Sequence, residues 1–498
     1  MADTPVRAGK TGPEVRGGAR IDRSGFREYD ARWTYPDQVN RAGFRILGAA
    51  LGTLMHETGS GTVISVGHDF REYSPELARS LMEGLTGAGI DVLDIGMVLS
   101  PMAYFSRVML DVPAVAMVTA SHNPNGWTGL KAGFRHPLTL GGDEIARLRD
   151  LVFSGTFRQG KTGTIGEVRD LRRTYLDDVV GSFRLGRKLR AICATGNGTA
   201  SIIAPEALAR IGVEVVPLHC TLDSTFPNYD PNPESLEMLN DMADATLASG
   251  ADIAFGFDGD GDRLGVVDDR GEVLYSDKLG VLLARSLASL HPDAGFIADI
   301  KSTCAFRTDP VLRSLGACTE YWKTGHSHLK HRLHQTGALA AFEKSGHFYF
   351  GPPAGRGYDD GILAAIELCR MLDREPDMQL SAMRKTLPMT WSTPTMSPWC
   401  SDRDKYRVME RIGDHLAGMK RSGAMIANRK ITEIITVNGA RCVLENGSWC
   451  LVRASSNTPN LVVVCESVDS EEEMVRIFRD LDAAIRSISE IGPYDQQV

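Results

Sequence analysis

Val63-Ile64-Ser65-Val66-Gly67-His68-Asp69 runs an apolar strand into a polar loop, and Gly89-Ile90-Asp91-Val92 opens a second strand after a helix-like stretch. The same plan returns twice. Ala191-Ile192-Cys193 leads through Gly196-Asn197-Gly198 to Gly212-Val213-Glu214-Val215. Gly295-Phe296-Ile297-Ala298 leads through Asp299-Ile300-Lys301-Ser302 to Gly316-Ala317-Cys318-Thr319. Each closing Gly follows a leucine-containing amphipathic stretch, as at a helix C-terminus. Strand, helix, strand at this spacing reads as a βαβ unit with loops at the strand C-termini free for ligands. The last hundred residues differ. A helical pattern at Lys405–Ala417 precedes strand-like runs at Ile431–Val437, Ala440–Leu444, Cys450–Val452 and Leu461–Cys465. Asn438-Gly439 and Asn446-Gly447 mark hairpins between them. A charged helix follows from Ser470 to about Ile488, with Ser470 and Glu473 spaced for a capping box. The expected fold class is α/β: three tandem related α/β domains and a C-terminal α+β domain. The expected limits are a flexible tail at 1–25 and domains at 26–170, 171–273, 274–388 and 389–498.

The chain has 498 residues, with 55 Lys plus Arg against 63 Asp plus Glu, a formal charge of −8. A net-negative chain speaks against binding nucleic acid or an anionic membrane, since phosphate backbones demand a basic face. A small phosphorylated substrate needs only a few well-placed cations and stays open. The nine cysteines are scattered with no CxxC, so neither a disulfide framework nor a thiolate zinc site is indicated. No run approaches the ~20 apolar residues of a membrane span, and residues 1–25 lack the apolar core of a signal peptide. The expectation is a cytoplasmic enzyme, monomer or weak dimer, with no nucleic acid or membrane partner.

Four segments carry chemistry. Asp258-Gly259-Asp260-Gly261-Asp262-Arg263 directly follows the apolar strand Ile253–Phe257. Three carboxylates at alternate positions converge only if the backbone curls tightly, which the glycines permit; such oxygen ligands suit a hard cation like Mg²⁺. An EF-hand also begins with alternating acids. Here Arg263 stands where that loop needs Gly, and a strand replaces the entering helix. Thr119-Ala120-Ser121-His122-Asn123-Pro124 follows the strand Ala114–Val118 and exposes a serine as a nucleophile or phosphorylated residue. Alone, Ser-His-Asn-Pro is more often a turn than a catalytic site. Lys131 nearby could supply positive charge to an oxyanion. Glu343-Lys344-Ser345-Gly346-His347, with Lys323-Thr324-Gly325-His326-Ser327 upstream, could read sugar hydroxyls. Arg453-Ala454-Ser455-Ser456-Asn457-Thr458-Pro459 could cradle a phosphate.

Together these segments resemble those of the α-D-phosphohexomutases, in particular the bacterial phosphomannomutase/phosphoglucomutase branch. That family carries a T-x-S-H-N-P phosphoserine loop, a D-G-D-x-D-R metal loop, a G-E-x-S-G-H-like sugar loop and an R-x-S-N-T-x-P-like phosphate loop, in this order. Phe26-Arg27-Glu28-Tyr29-Asp30-Ala31-Arg32 resembles its opening F-R-x-Y-D-I-R-G, Gly325-His326-Ser327 its T-G-H-S, and Asp359-Asp360-Gly361 its D-D-G-I. There are departures. Trp33 stands at the usual Gly, Thr128 replaces an Asn, Phe342 precedes Glu343 where Gly is common, and Ser456 and Asn457 fill the usual Asn and Thr slots.

The resemblance implies interconversion of hexose 6-phosphate and hexose 1-phosphate, of mannose or glucose, through a hexose 1,6-bisphosphate that also serves as activator. It feeds nucleotide-sugar and polysaccharide synthesis. It implies Ser121 as the phosphoserine, and one Mg²⁺ on Ser121, Asp258, Asp260 and Asp262. Arg32, Lys131 and Arg263 become cationic contacts to the transferring group. His326, His347, or a Lys131 with a lowered pKa, are candidates for the proton transfer. Tyr29, Lys301, Glu343, Ser345, Arg453, Ser455, Ser456 and Asn457 become substrate contacts, Glu343 and Ser345 to the sugar's 3- and 4-hydroxyls. Four domains around a central cleft are expected. The alternatives are a phosphoglucosamine or N-acetylglucosamine phosphate mutase, and a metal-dependent sugar phosphatase. A phosphatase needs no second phosphate site, so the Arg453 segment speaks against it.

Overall fold

In each of the three repeats the two quoted strands lie side by side and parallel. Val63–His68 pairs with Asp91–Met97, Arg190–Ala194 with Glu214–Leu218, and Gly295–Asp299 with Cys318–Trp322. On its other edge each first strand pairs, again in parallel, with a third: Ala114–Val118, Ile253–Phe257 and Ala340–Phe342. A fourth strand then returns antiparallel: Trp127–Gly133, Leu264–Asp268 and Phe348–Phe350. The shared order is second, first, third, fourth. The connection from third to fourth strand is therefore equivalent in all three sheets. It is the serine loop in the first, the Asp-Gly loop in the second and the Glu343 loop in the third. The expected three related α/β domains are present, and a fourth, β-rich domain follows.

The computed structural model describes residues 14–16, 18–456, 458–486, 488 and 490–496. These fall into two compact units, Met1–Val273 with Tyr358–Asp373, and Leu274–Gly357 with Arg374–Val498. The helix Gly361–Arg374, which follows the third sheet in sequence, begins in the first unit. There Gly361 N donates to the Gly261 carbonyl, and the Tyr175 hydroxyl donates to the buried Asp360 carboxylate at 3.0 Å. Burial pushes Asp360 up to about 7.

In the second unit, the C-terminal sheet is antiparallel throughout, from Trp391–Ser392 and Leu461–Ser467 across Trp449–Ala454, Ala440–Leu444 and Arg429–Ile435 to Met425–Ile426. Both turns with Asn-Gly join neighbouring strands, and Gly439 and Gly447 take the positive φ those turns require. Alternate side chains serve two cores. Cys450, Val452, Val463 and Cys465 pack with helices Lys405–Ser422 and Glu471–Ile485. Trp449, Leu451, Val462 and Val464 pack with Ile300 and Cys304 of the third domain. The capping box at Ser470 is only half formed. Ser470 Oγ accepts from Glu473 N at 3.1 Å, but the Glu473 carboxylate accepts from Ser467 and Ser448 instead. Two hydroxyls, the Asn446 amide and Arg429 converge on that charge, and the Ser470 N–H donates to Ser467 Oγ at 3.2 Å instead.

Of the expected tail, residues 1–13 and 17 lie outside the described residues, and residues 18–25 depart from that expectation. Ala19 and Ile21 are buried, and Ile21 is 0% exposed in the core of the first domain. The cause is Trp33, the residue that replaces the family's Gly. Its indole N–H donates to the Asp22 carbonyl at 2.7 Å, and its ring lies so close to Gly25 that a Cβ there would come within 1.9 Å of Nε1. Phe26 meets the same indole edge-on at 5.1 Å. Among the described residues no helix is long and apolar enough to cross a membrane. Ile21→Ala should cost about 2–4 kcal/mol of first-domain stability, read as a lowered thermal unfolding midpoint; a loose tail would give no change.

Candidate active site

The serine and metal loops belong to the first unit and touch each other. Ser121 has φ 53°, a left-handed backbone that a non-glycine residue adopts only when its surroundings hold it there. Thr119 Oγ1 accepts from Ser121 N at 2.9 Å, and Arg71 donates to the carbonyls of Ser121 and Asn123 at 3.0 and 2.5 Å. Arg71, 1% exposed, is itself held by the Asp69 carboxylate, which also accepts from Ser74 Oγ and Ala120 N. So fixed, Ser121 Oγ donates to Asp258 Oδ2 at 2.8 Å. The other Asp258 oxygen accepts from Asp262 N and Arg263 N at 3.0 and 3.1 Å, which curls the loop on its first carboxylate. Gly259 allows the approach: a Cβ there would stand 2.5 Å from the Ser121 carbonyl oxygen.

Asp258, Asp260 and Asp262 are each 0% exposed and present oxygens within 4.8 Å of one another. Lys131, on the returning strand of the first sheet, bonds both Asp260 and Asp262, and Ser100 Oγ donates to Asp260 Oδ2 at 2.6 Å. Burial opposes the charge on Asp260, but Lys131 outweighs it and holds that carboxyl below the usual range. Asp258 has a weaker cationic partner, Arg263 Nε at 3.9 Å. Burial, then Asp262 and Asp260, pushes its carboxyl well above the ordinary value. The nest thus carries more negative charge than its protein cations balance. Asp260 Oδ1 is buried with no hydrogen-bond partner among the described residues. Converging hard oxygens with an unanswered lone pair fit a divalent cation.

Around this pair the other cations take separate positions. Arg32 donates to the Thr119 carbonyl at 2.8 Å and pairs with Asp30 at 3.0 Å. Arg263 pairs with Glu234 at 3.0 Å and lies 3.9 Å from Asp258. Tyr29 is buried in the same unit. Lys131 does not meet the condition, a lowered pKa, on which its candidacy for the proton transfer rests. Burial works against its charge, but Asp260 and Asp262 hold it well above the ordinary value, so it remains a cation.

The remaining residues lie on the second unit. Glu343 to His347 form the tight turn between Ala340–Phe342 and Phe348–Phe350, with Gly346 at φ 95°. Ser345 Oγ donates to Glu343 Oε1 at 2.7 Å; Glu343 Oε2 is buried with no partner among the described residues. The rings of His326 and His347 lie 6.3 Å apart, both buried. Asp299 ties this region together. Its carboxylate accepts from Ser302 Oγ, Thr324 Oγ1 and Lys344 N, and Lys301 Nζ stands 3.9 Å away. In the C-terminal domain Arg453 is 6% exposed and its Nε has no partner among the described residues. Ser455 is buried beside it and Ser456 half-buried; Asn457 lies outside the described residues.

Sequence reasoning assigned no role to Asp69, Arg71, Ser100 or Asp299, all of which organise these loops. A signal existed for two of them: Asp69 directly follows, and Asp299 ends, the first strand of its repeat, where the loop begins. Arg71 and Ser100 carry no pattern of their own, because their partners are far away in sequence.

Comparison with known proteins places the chain in a family. Family profiles described as phosphoglucomutase/phosphomannomutase alpha/beta/alpha domains I, II and III match residues 23–159, 173–271 and 275–390. The phosphomannomutase/phosphoglucomutase of Pseudomonas putida is 34% identical over 461 residues, 92% of this chain and 95% of its own. A phosphoglucomutase of Neisseria gonorrhoeae is 34% identical over 94% of this chain and 98% of its own. The crystal structure of a phosphoglucomutase/phosphomannomutase family protein from Burkholderia thailandensis has a TM-score of 0.85 at 31% identity, covering 96% of this chain and 100% of that one. The chain belongs to this family, the α-D-phosphohexomutases. It is a hexose-phosphate mutase, an isomerase. Gly259→Ala should lower turnover at least roughly a hundredfold with the circular dichroism spectrum unchanged, because a Cβ there would push Ser121 from its place beside Asp258.

Proposed function

We propose that the chain interconverts the 6- and 1-phosphates of both mannose and glucose, with Ser121 as the phosphorylated residue. The observation that carries this reading is the 2.8 Å contact of Ser121 Oγ with Asp258 inside a buried three-carboxylate nest. The phosphoryl group leaves Ser121 Oγ for the free hydroxyl of the sugar, giving a hexose 1,6-bisphosphate. The bisphosphate turns round and returns its other phosphoryl group to Ser121. Phosphoryl transfer asks the protein for alignment and neutralised charge more than for covalent help. The left-handed backbone at Ser121 supplies alignment. Lys131, Arg32 and Arg263 supply cationic charge near the loop, and the raised pKa of Lys131 fits a permanent cation rather than a base. Asp258, Asp260, Asp262 and a phosphoserine oxygen would hold Mg²⁺, which supplies the largest positive charge at the transferring group.

His326 and His347 are the candidates to move the hydroxyl proton. Glu343 and Ser345 hold the sugar's 3- and 4-hydroxyls, Arg453, Ser455, Ser456 and Asn457 the phosphate not being transferred, and Tyr29 and Lys301 make further contacts. Mannose and glucose differ at C2, which the 3- and 4-hydroxyl contacts do not read, so one site serves both. The nine free thiols fit a cytoplasmic location.

The test supplies glucose 1-phosphate, Mg²⁺ and a trace of glucose 1,6-bisphosphate, and follows glucose 6-phosphate and free phosphate together. Glucose 6-phosphate without free phosphate is expected, with Ser121→Ala inactive and mannose 1-phosphate also turned over. Free phosphate alone would mean a phosphatase; turnover only of N-acetylglucosamine phosphate would move the specificity to C2. Chelation of the metal should abolish turnover and added Mg²⁺ restore it, and activity that survives complete chelation would remove the metal from the reading.

A further inference from the structure

The phosphate loop of the C-terminal domain rests on a buried cation. Lys405 opens the helix Lys405–Ser422 and is 4% exposed. Its Nζ donates to the Ser455 carbonyl at 2.6 Å, to the Thr458 carbonyl at 3.2 Å and to Asp402 Oδ1 at 2.7 Å. An ammonium group has three N–H donors, and here all three are engaged. Lys405 therefore has none left for a phosphate. The Asp402 side chain is 62% exposed, and an ion pair with so exposed a partner contributes little. What compensates an ammonium drawn out of water is chiefly the pair of loop carbonyls.

Those carbonyls sit in the segment that the family's phosphate motif occupies. A peptide unit is planar, and its C=O and N–H point in opposite directions. Anchoring the Ser455 carbonyl on Lys405 thus turns the Ser456 N–H away from the lysine. The loop then closes on itself. Ser455 Oγ and Thr458 Oγ1 lie 2.8 Å apart, Thr458 N donates to Ser455 Oγ, and Ser455 N donates to the Asn460 carbonyl at 3.0 Å. Arg453 precedes it with its buried Nε still lacking a partner among the described residues.

We propose that Lys405 is the positioning residue of the phosphate loop: by holding the Ser455 and Thr458 carbonyls inward, it fixes the loop backbone so that the Ser456 N–H, with Arg453, faces the phosphate that is not being transferred. It acts through backbone, not by touching the ligand, and its buried charge adds positive potential behind the cradle. The proposal rests on the mutase reading above and goes beyond it in naming what sets the loop.

Lys405→Met and Lys405→Arg test it, each read by KM and kcat for glucose 1-phosphate and by calorimetric affinity for the same ligand. Lys405→Met should raise KM roughly tenfold or more, the scale of a lost charge-assisted bond, with kcat at saturation little changed. Lys405→Arg should recover most of that loss. A fall in kcat with unchanged KM in the folded fraction would make Lys405 merely structural and overturn the proposal. Amide hydrogen exchange over residues 454–461 gives a readout that needs no substrate: faster exchange in Lys405→Met is expected, and unchanged protection overturns the brace. Wild-type protein that binds glucose 1-phosphate without turning it over would remove the mutase reading alone, leaving the brace to be judged on affinity and exchange.

Discussion

Three carboxylates buried within 4.8 Å of one another are the constraint that shapes the first unit. Like charges this close, out of water, are tolerated only where cations and N–H groups answer them. Lys131 and Ser100 answer from the first domain, far away in sequence, and backbone amides answer from within the loop itself. The requirement to bring those donors in fixes how the first two domains meet. Gly259 can face Ser121 with no side chain between them because the two sheets carry their loops at equivalent positions, each between a third, parallel strand and a fourth that returns antiparallel.

That equivalence explains how one small sheet, used three times, yields three different chemistries. The scaffold repeats while the loop changes: hydroxyl in the first, carboxylates in the second, a Glu-Ser-His turn in the third. A second polar position repeats with it. Asp69, Thr195 and Asp299 each stand at the end of a first strand and gather the neighbouring loops. Asp69 holds Arg71, Ser74 and Ala120; Thr195 bonds Ser201 and the His219 carbonyl; Asp299 holds Ser302, Thr324 and Lys344. Loops at strand ends carry the candidate site residues, and one polar residue per sheet keeps them in place.

Much of this was legible in the residues. The paired strands of each repeat follow from apolar runs and helix-ending glycines, because those are local signals. The Asp-Gly loop announces itself since alternate carboxylates and glycines at a strand end have few other uses. The position of the third and fourth strands was not legible, because strand order is decided by packing across the sheet. Nor was the fate of Glu473: the spacing from Ser470 fits a capping box, yet Ser467, Ser448 and Arg429 converge on the carboxylate from other elements. Residues 18–25 misled for a related reason: their composition is that of a tail, and Trp33, which holds Asp22 and Gly25, lies outside them.

Trp33 also bears on where the catalytic domain begins. It follows Arg32, whose guanidinium holds the Thr119 carbonyl, on a strand paired with the one that carries Lys131. A shortened chain starting at Phe26 would remove both the Asp22 carbonyl and the Gly25 surface from the indole, leaving a buried N–H without an acceptor one residue away from a contact of the serine loop. Expression boundaries drawn at the first recognisable motif would thus cut into the domain's own wall, and residues 18–25 belong to any fragment meant to keep that wall intact.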